Sequence, residues 1–190
     1  MQGKAVDRPA SKRQNPKAMI QEFFIALFKA GLPVGMAAYL LVWWALRNGY
    51  LGEVGSVKEV EKEVKRLVKD KESPKEGDPV HRKWLSMGGG FYGVVAMITY
   101  LVVEVGEILD FIAGFDGIGA FIDSISIGML VGLIIEAVKN SIIAIAWPAY
   151  WLTDIQSNHI WIWFVVAYAG YWLGSSLATR NFREREKESI

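Results

Sequence analysis

Nineteen consecutive residues, Leu85 to Val103, carry no charge. About 20 apolar residues in a helix cross the hydrocarbon of a bilayer, and a soluble domain seldom holds so long an uncharged run. Comparable stretches precede and follow it. The expected fold class is therefore an all-α integral membrane protein with about four transmembrane helices and one amphipathic helix. Composition agrees, since 52% of the 190 residues are hydrophobic and eight are tryptophan, more than a soluble core of this size requires.

The expected organisation follows the runs. Residues 1–18 form a basic arm, in which Lys4, Arg8, Lys12, Arg13 and Lys17 stand against Asp7 while Pro9 and Pro16 oppose a regular helix. Residues 19–48 form the first transmembrane helix. Its apolar stretch from Phe23 to Leu46 is too long for a signal-peptide core, so it is expected to stay uncleaved. Pro33 predicts a kink, and Trp43 and Trp44 fall where an interfacial aromatic belt would lie. Residues 49–84 are a polar insert, 85–179 hold three further transmembrane helices, and 180–190 are a charged tail. The third apolar region crosses once, either from Ile118 to Val138 or from Ile125 onward; the last span runs from Ile160 to Ala178.

Inside the insert, Val57, Val60, Val64 and Leu67 recur at three-four spacing, with Glu61/Lys65, Glu59/Lys62 and Glu63/Arg66 on the other face. This predicts an amphipathic helix over 56–72 that lies on its own bundle or on lipid headgroups. A coiled-coil seam is the alternative, and two heptads are too short to hold an oligomer alone. Pro74, Gly77 and Pro79 make the rest of the insert a loop.

Three small-xxx-small pairs, Gly89/Gly93, Gly128/Gly132 and Gly170/Gly174, sit on three different spans and mark close helix contacts. The polar feature of greatest interest is an asymmetry. Between Trp84 and Val138 there is no lysine or arginine, but there are six carboxylates: Glu104, Glu107, Asp110, Asp116, Asp123 and Glu136. Glu104, Glu107 and Asp110 share one helix face, which suggests a cation or proton path. The simpler reading, that they mark the membrane surface after a full-length span, is preferred. Glu136 and Lys139 are expected to pair on one helix, and Glu22 and Lys29 to reach the surface.

Four spans place both termini on one side, and their basic flanks point to the cytoplasm. The same assignment sends residues 47–84 outward with ten basic side chains, against the positive-inside rule. A re-entrant first stretch would resolve the conflict with three spans and termini on opposite faces. The expected location is the plasma (inner) membrane of a prokaryote.

Several chemistries are disfavoured. With no cysteine, thiolate metal sites and thiol nucleophiles are excluded. His81 and His159 lack metal-motif spacing, and Ser175 and Ser176 lack a histidine on a helix expected to meet them. Neither a cofactor nor a metal is expected, and nucleic acid is an unlikely partner for a net charge of +1. The expected function is a non-enzymatic structural or accessory subunit of a homo- or hetero-oligomeric assembly, with lipid and other membrane subunits as partners. The alternatives are an oligomeric cation channel or ion-coupled transporter and, less favoured, a lipid-modifying enzyme.

Overall fold

The computed structural model describes residues 16–52, 54–70, 78–114, 126–157 and 159–188. Among these every regular element is helical. They are α1 (Pro16–Ala26), a π-helical turn (Leu27–Gly31), α2 (Leu32–Arg47), α3 (Val57–Lys69), α4 (Pro79–Ser86), α5 (Gly90–Ala113), α6 (Ile127–Ile145), α7 (Trp147–Asp154) and α8 (Ile160–Glu188). Among the described residues three helices are long and apolar enough to cross a membrane: Pro16–Arg47, Gly90–Asp110 and Ile160–Glu188. The α6/α7 pair would be a fourth only as a bent unit.

The first of these helices runs through Pro33 without ending. Proline has no N–H to give the carbonyl four residues back, and the turn ahead of it widens, so that Leu32 N donates to Leu27 O, five residues away. The predicted kink is thus a π-bulge, and Lys29 sits in it.

α8 lies along the first helix, and the two run in the same direction. Glu22 meets His159, Gly31 and Gly35 meet Gly170 and Gly174, and Tyr39 meets Asn181, so residue numbers rise together on both. α5 runs the opposite way. Its Phe91 ring packs on Tyr171, while Val102 reaches the level of Lys29 and Trp163. Parallel first and last long helices separate Pro16 from Glu188, one at each end of the bundle.

In the third apolar region α6 rises antiparallel to α5, with Asn140 beside Glu104 and Glu107 and the Ile145 carbonyl accepting from the Tyr92 hydroxyl. At Ala146 the chain turns by 79°, where Pro148 cannot continue the α6 ladder. α7 then descends, Trp147 against Phe91 and Trp151 Nε1 donating to Thr99 Oγ1 at 2.8 Å. α7 thus runs back along α5, from the level of Phe91 to that of Val102; residues 118–125, where the predicted crossing would begin, lie outside the described residues.

At the other end, the polar insert is a packed cap. Val57, Val60 and Val64 are buried in the same core as the fully buried Trp84 and Tyr171, with Leu67 half-buried beside them. Ser56 caps α3 by accepting from Glu59 N. Part of the predicted loop is instead α4: Asp78 Oδ1 accepts from the amides of Val80 and His81, and Pro79 occupies the first turn, where a missing N–H costs nothing.

Candidate functional site

Each predicted glycine pair has a different fate. Gly170 and Gly174 make the helix contact expected of them: a Cβ on Gly174 would lie 2.0 Å from the Gly35 carbonyl oxygen, and one on Gly170 2.1 Å from that of Gly31. Their partners Gly31 and Gly35 carry the same four-residue spacing, a signal that the adjacent Pro33 obscured. Gly89 and Gly93 do not join two spans. Gly89 has φ +60° at the start of α5, where a Cβ would strike Val64, and Gly93 packs on Trp84. Gly128 and Gly132 are open. A Cβ on Gly132 would meet nothing within 4 Å, and one on Gly128 only the Ser126 hydroxyl.

The acidic face is divided as well. α5 does not end at Val103 but carries Glu104, Glu107 and Asp110 in its last turns. Asn140, 2% exposed on α6, donates from Nδ2 to Glu107 Oε2 at 2.8 Å and to Glu104 Oε1 at 3.4 Å. Two carboxylates thereby share one amide across the α5/α6 contact. Asp110 is exposed. Asp116 and Asp123 lie outside the described residues. Lys83 closes the other end of this polar seam, donating to Ser141 Oγ at 2.8 Å and lying 4.4 Å from the centre of the Tyr100 ring. Sequence reasoning missed Asn140, Ser141 and Lys83, because nothing in their spacing marks which helix they face.

Glu136 and Lys139 do not form the expected pair. Both are exposed near the middle of α6. They sit among Ile134, Ile135 and Val138, whose exposures are 65%, 54% and 55%. At 100° per residue, Gly128, Gly132, Ile135 and Lys139 form one stripe with Glu136 on its edge. Among the described residues α6 packs chiefly against α5 and α7, with Lys83 of α4 reaching its Ser141.

The histidines are structural in different ways. His159 Nδ1 is 2.8 Å from Glu22 Oε2, a pair largely shielded from solvent that ties α1 to the start of α8. Glu22 was expected to reach the surface; it turns inward to this partner. His81 is buried, stacked on Tyr50 at 4.5 Å and edge-on to Trp84 at 5.8 Å. Burial lowers its pKa below the ordinary histidine value, with the nearby Asp78 carboxylate opposing in part. Desolvation raises the Asp78 pKa, but hydrogen bonds from Trp44 Nε1 at 2.7 Å, the His81 and Val80 amides and Tyr50 outweigh it, leaving a net lowering.

A cavity of about 180 Å³ lies between the long helices and α7, walled by Trp147, Trp151, Trp163, Phe164, Val95 and Ile98, with Lys29 at its edge. It is apolar and matches an alkyl segment or a small apolar molecule. Among the described residues no three histidine, aspartate or glutamate side chains converge as metal ligands. Ser175 is buried and its hydroxyl is hydrogen-bonded to neither histidine; His159 is held at Glu22 and His81 at Tyr50.

The chain matches no protein-family model, no curated protein and no solved structure.

Proposed function

We propose that this chain is a non-enzymatic multi-pass membrane protein that serves as a structural or accessory subunit of an oligomer, with the outer face of α6 as its contact surface. The observation that carries this reading is the mixture on the exposed surface of α6. Exposed Ile134, Ile135 and Val138 favour lipid, whereas Glu136 and Lys139, interleaved with them, favour water or an opposite charge. A charged group at a helix centre in lipid costs roughly 2.5–3.5 kcal/mol. A second α6 laid across the stripe of Gly128, Gly132, Ile135 and Lys139 covers Ile135, sets Glu136 of each copy against Lys139 of the other, and uses the open Gly128 and Gly132 for close approach. The four glycines of the seam between the first helix and α8 are already consumed within the chain, whereas the Gly128/Gly132 pair of α6 is uncovered.

The cation-path alternative has less support. Asn140 gives Glu104 and Glu107 an internal partner, a structural reason for carboxylates at that depth.

The orientation that fits the bundle has three full crossings and a re-entrant α6/α7 hairpin. Residues 47–84, with ten basic side chains, then share one end with Arg180, Arg183, Arg185 and Lys187. The positive-inside rule places that end in the cytoplasm and the N-terminal arm opposite, which removes the conflict of the four-span scheme.

The cysteine-free sequence makes self-association directly testable. Ile135→Cys, in protein reconstituted at a fixed protein-to-lipid ratio, is expected to form a disulfide-linked dimer under mild oxidation. Glu136→Lys should suppress it, and Glu136→Lys with Lys139→Glu should restore it. A monomer at every ratio, with no cross-link, would overturn the reading.

A further inference from the structure

The cytoplasm-facing end proposed above carries a cleft that the self-association reading does not use. It lies between the start of α3 and the last turns of α8 and encloses about 470 Å³. One wall is a single face of α8: Trp172, Ser176, Thr179, Arg180, Arg183 and Lys187 recur at three-four spacing. Lys58 of α3 closes the other side. Along the face the chemistry changes in order, from a half-exposed indole, through two hydroxyl residues, to three cations over a rise of about 22 Å at 1.5 Å per residue.

That order is the order of groups in a phospholipid, from acyl chain through glycerol esters to phosphate. We infer that this cleft binds the headgroup of an anionic phospholipid, with Lys58, Arg180 and Lys187 around the phosphate and Trp172 beside the first acyl carbons. Four cations line the cleft against one carboxylate, Glu184. Glu184 accepts from Arg180 Nε at 2.9 Å, but both side chains are more than half exposed, and such a pair is worth at most about 1 kcal/mol, so a phosphate can displace it. Arg183 is the fixed member. It donates to the Gly55 carbonyl, and a Cβ on Gly55 would strike its guanidinium. Glu59 lies beside Arg183 at the Gly55 end of the cleft, its Oε2 accepting from Gly55 N at 2.6 Å, so it offsets the charge of Arg183 and leaves Lys58, Arg180 and Lys187 to the phosphate. The positive end of the α3 dipole faces the same cleft and adds to the field of the side chains.

This site requires a bilayer but not self-association, so the two proposals fail separately. Its test is a lipid titration of the intact detergent-solubilised protein by native mass spectrometry, using phosphatidylglycerol, phosphatidylcholine and inorganic phosphate. Saturable binding of phosphatidylglycerol well above that of phosphatidylcholine is expected, with inorganic phosphate displacing little of it. Lys58→Gln with Lys187→Gln, both exposed positions that leave the Arg183 contact in place, should weaken phosphatidylglycerol about thirty-fold, at about fivefold per cation. Lys62→Gln with Lys65→Gln, on the same helix outside the cleft, should leave it within twofold. Equal binding of the two lipids, equal loss in both double variants, or full displacement by inorganic phosphate would each overturn the lipid site.

Discussion

At the scale of single residues, the glycines separate contacts already made from contacts still available. Gly174→Ala drives a Cβ against the Gly35 carbonyl, a backbone atom that cannot rotate away, so α2 and α8 must part. Overpacking of this kind costs about 1–3 kcal/mol. Gly132→Ala places its Cβ in open space and should leave the monomer's stability unchanged. Thermal unfolding in detergent should therefore separate the two, Gly174→Ala lowering Tm by several degrees and Gly132→Ala by less than one. The spacing of both pairs was readable in the sequence, but their difference was not. A four-residue repeat of small side chains identifies a face that can approach a neighbour, and only the fold decides whether a neighbour is there. The same limit applies to Asn140. It looks like an ordinary polar residue near a membrane edge until α6 turns it onto Glu104 and Glu107.

Among the elements, α3 and α4 show where sequence signals are strong and where they are easily passed over. The valine stripe of α3 was plain because a polar surround leaves a single apolar face, and that face is buried as the period requires. α4 is two turns long and begins at an Asp-Pro pair, which reads equally as a loop or as an N-cap followed by proline at the first position. The docking of α4 carries a pH dependence. His81 has a folded pKa below its unfolded value near 6.5, so the folded state binds its proton less readily than the unfolded state. Its contribution to stability is fully present above pH 6.5 and is lost as pH falls through the lower folded value. Unfolding followed by tryptophan fluorescence between pH 8 and pH 5 should show stability falling with acid, and His81→Phe, which preserves an aromatic ring against Tyr50, should flatten that fall. Asp78, whose pKa is lowered from 3.8, contributes only at more acid pH and does not disturb this window.

For the whole molecule, hydropathy located the apolar segments but not their directions. The run after Ile118 has enough apolar residues to cross, and its bend depends on Pro148 together with aromatic contacts from Trp147 and Trp151 that no window average contains. In the orientation proposed above, that one bend changes the parity of the chain. It predicts that Lys62→Cys and Arg185→Cys react with a membrane-impermeant maleimide from the same side, and Gln21→Cys from the other. In inside-out vesicles the first two should label and the third should not; labelling of Gln21→Cys and Arg185→Cys from one side and Lys62→Cys from the other would restore the four-span scheme.

The parallel seam between the first and last long helices also governs the timing of assembly. Gly31 and Gly170 are neighbours in space but 139 positions apart in the chain, so the first helix leaves the ribosome well before its mate exists. At 5–20 residues per second the interval is on the order of ten seconds, during which Gly31 and Gly35 are without their helix partner. Biogenesis of this protein therefore closes last what it synthesises first, and a nascent chain stalled before Ile160 would be a set of helices without the joint that locks them together.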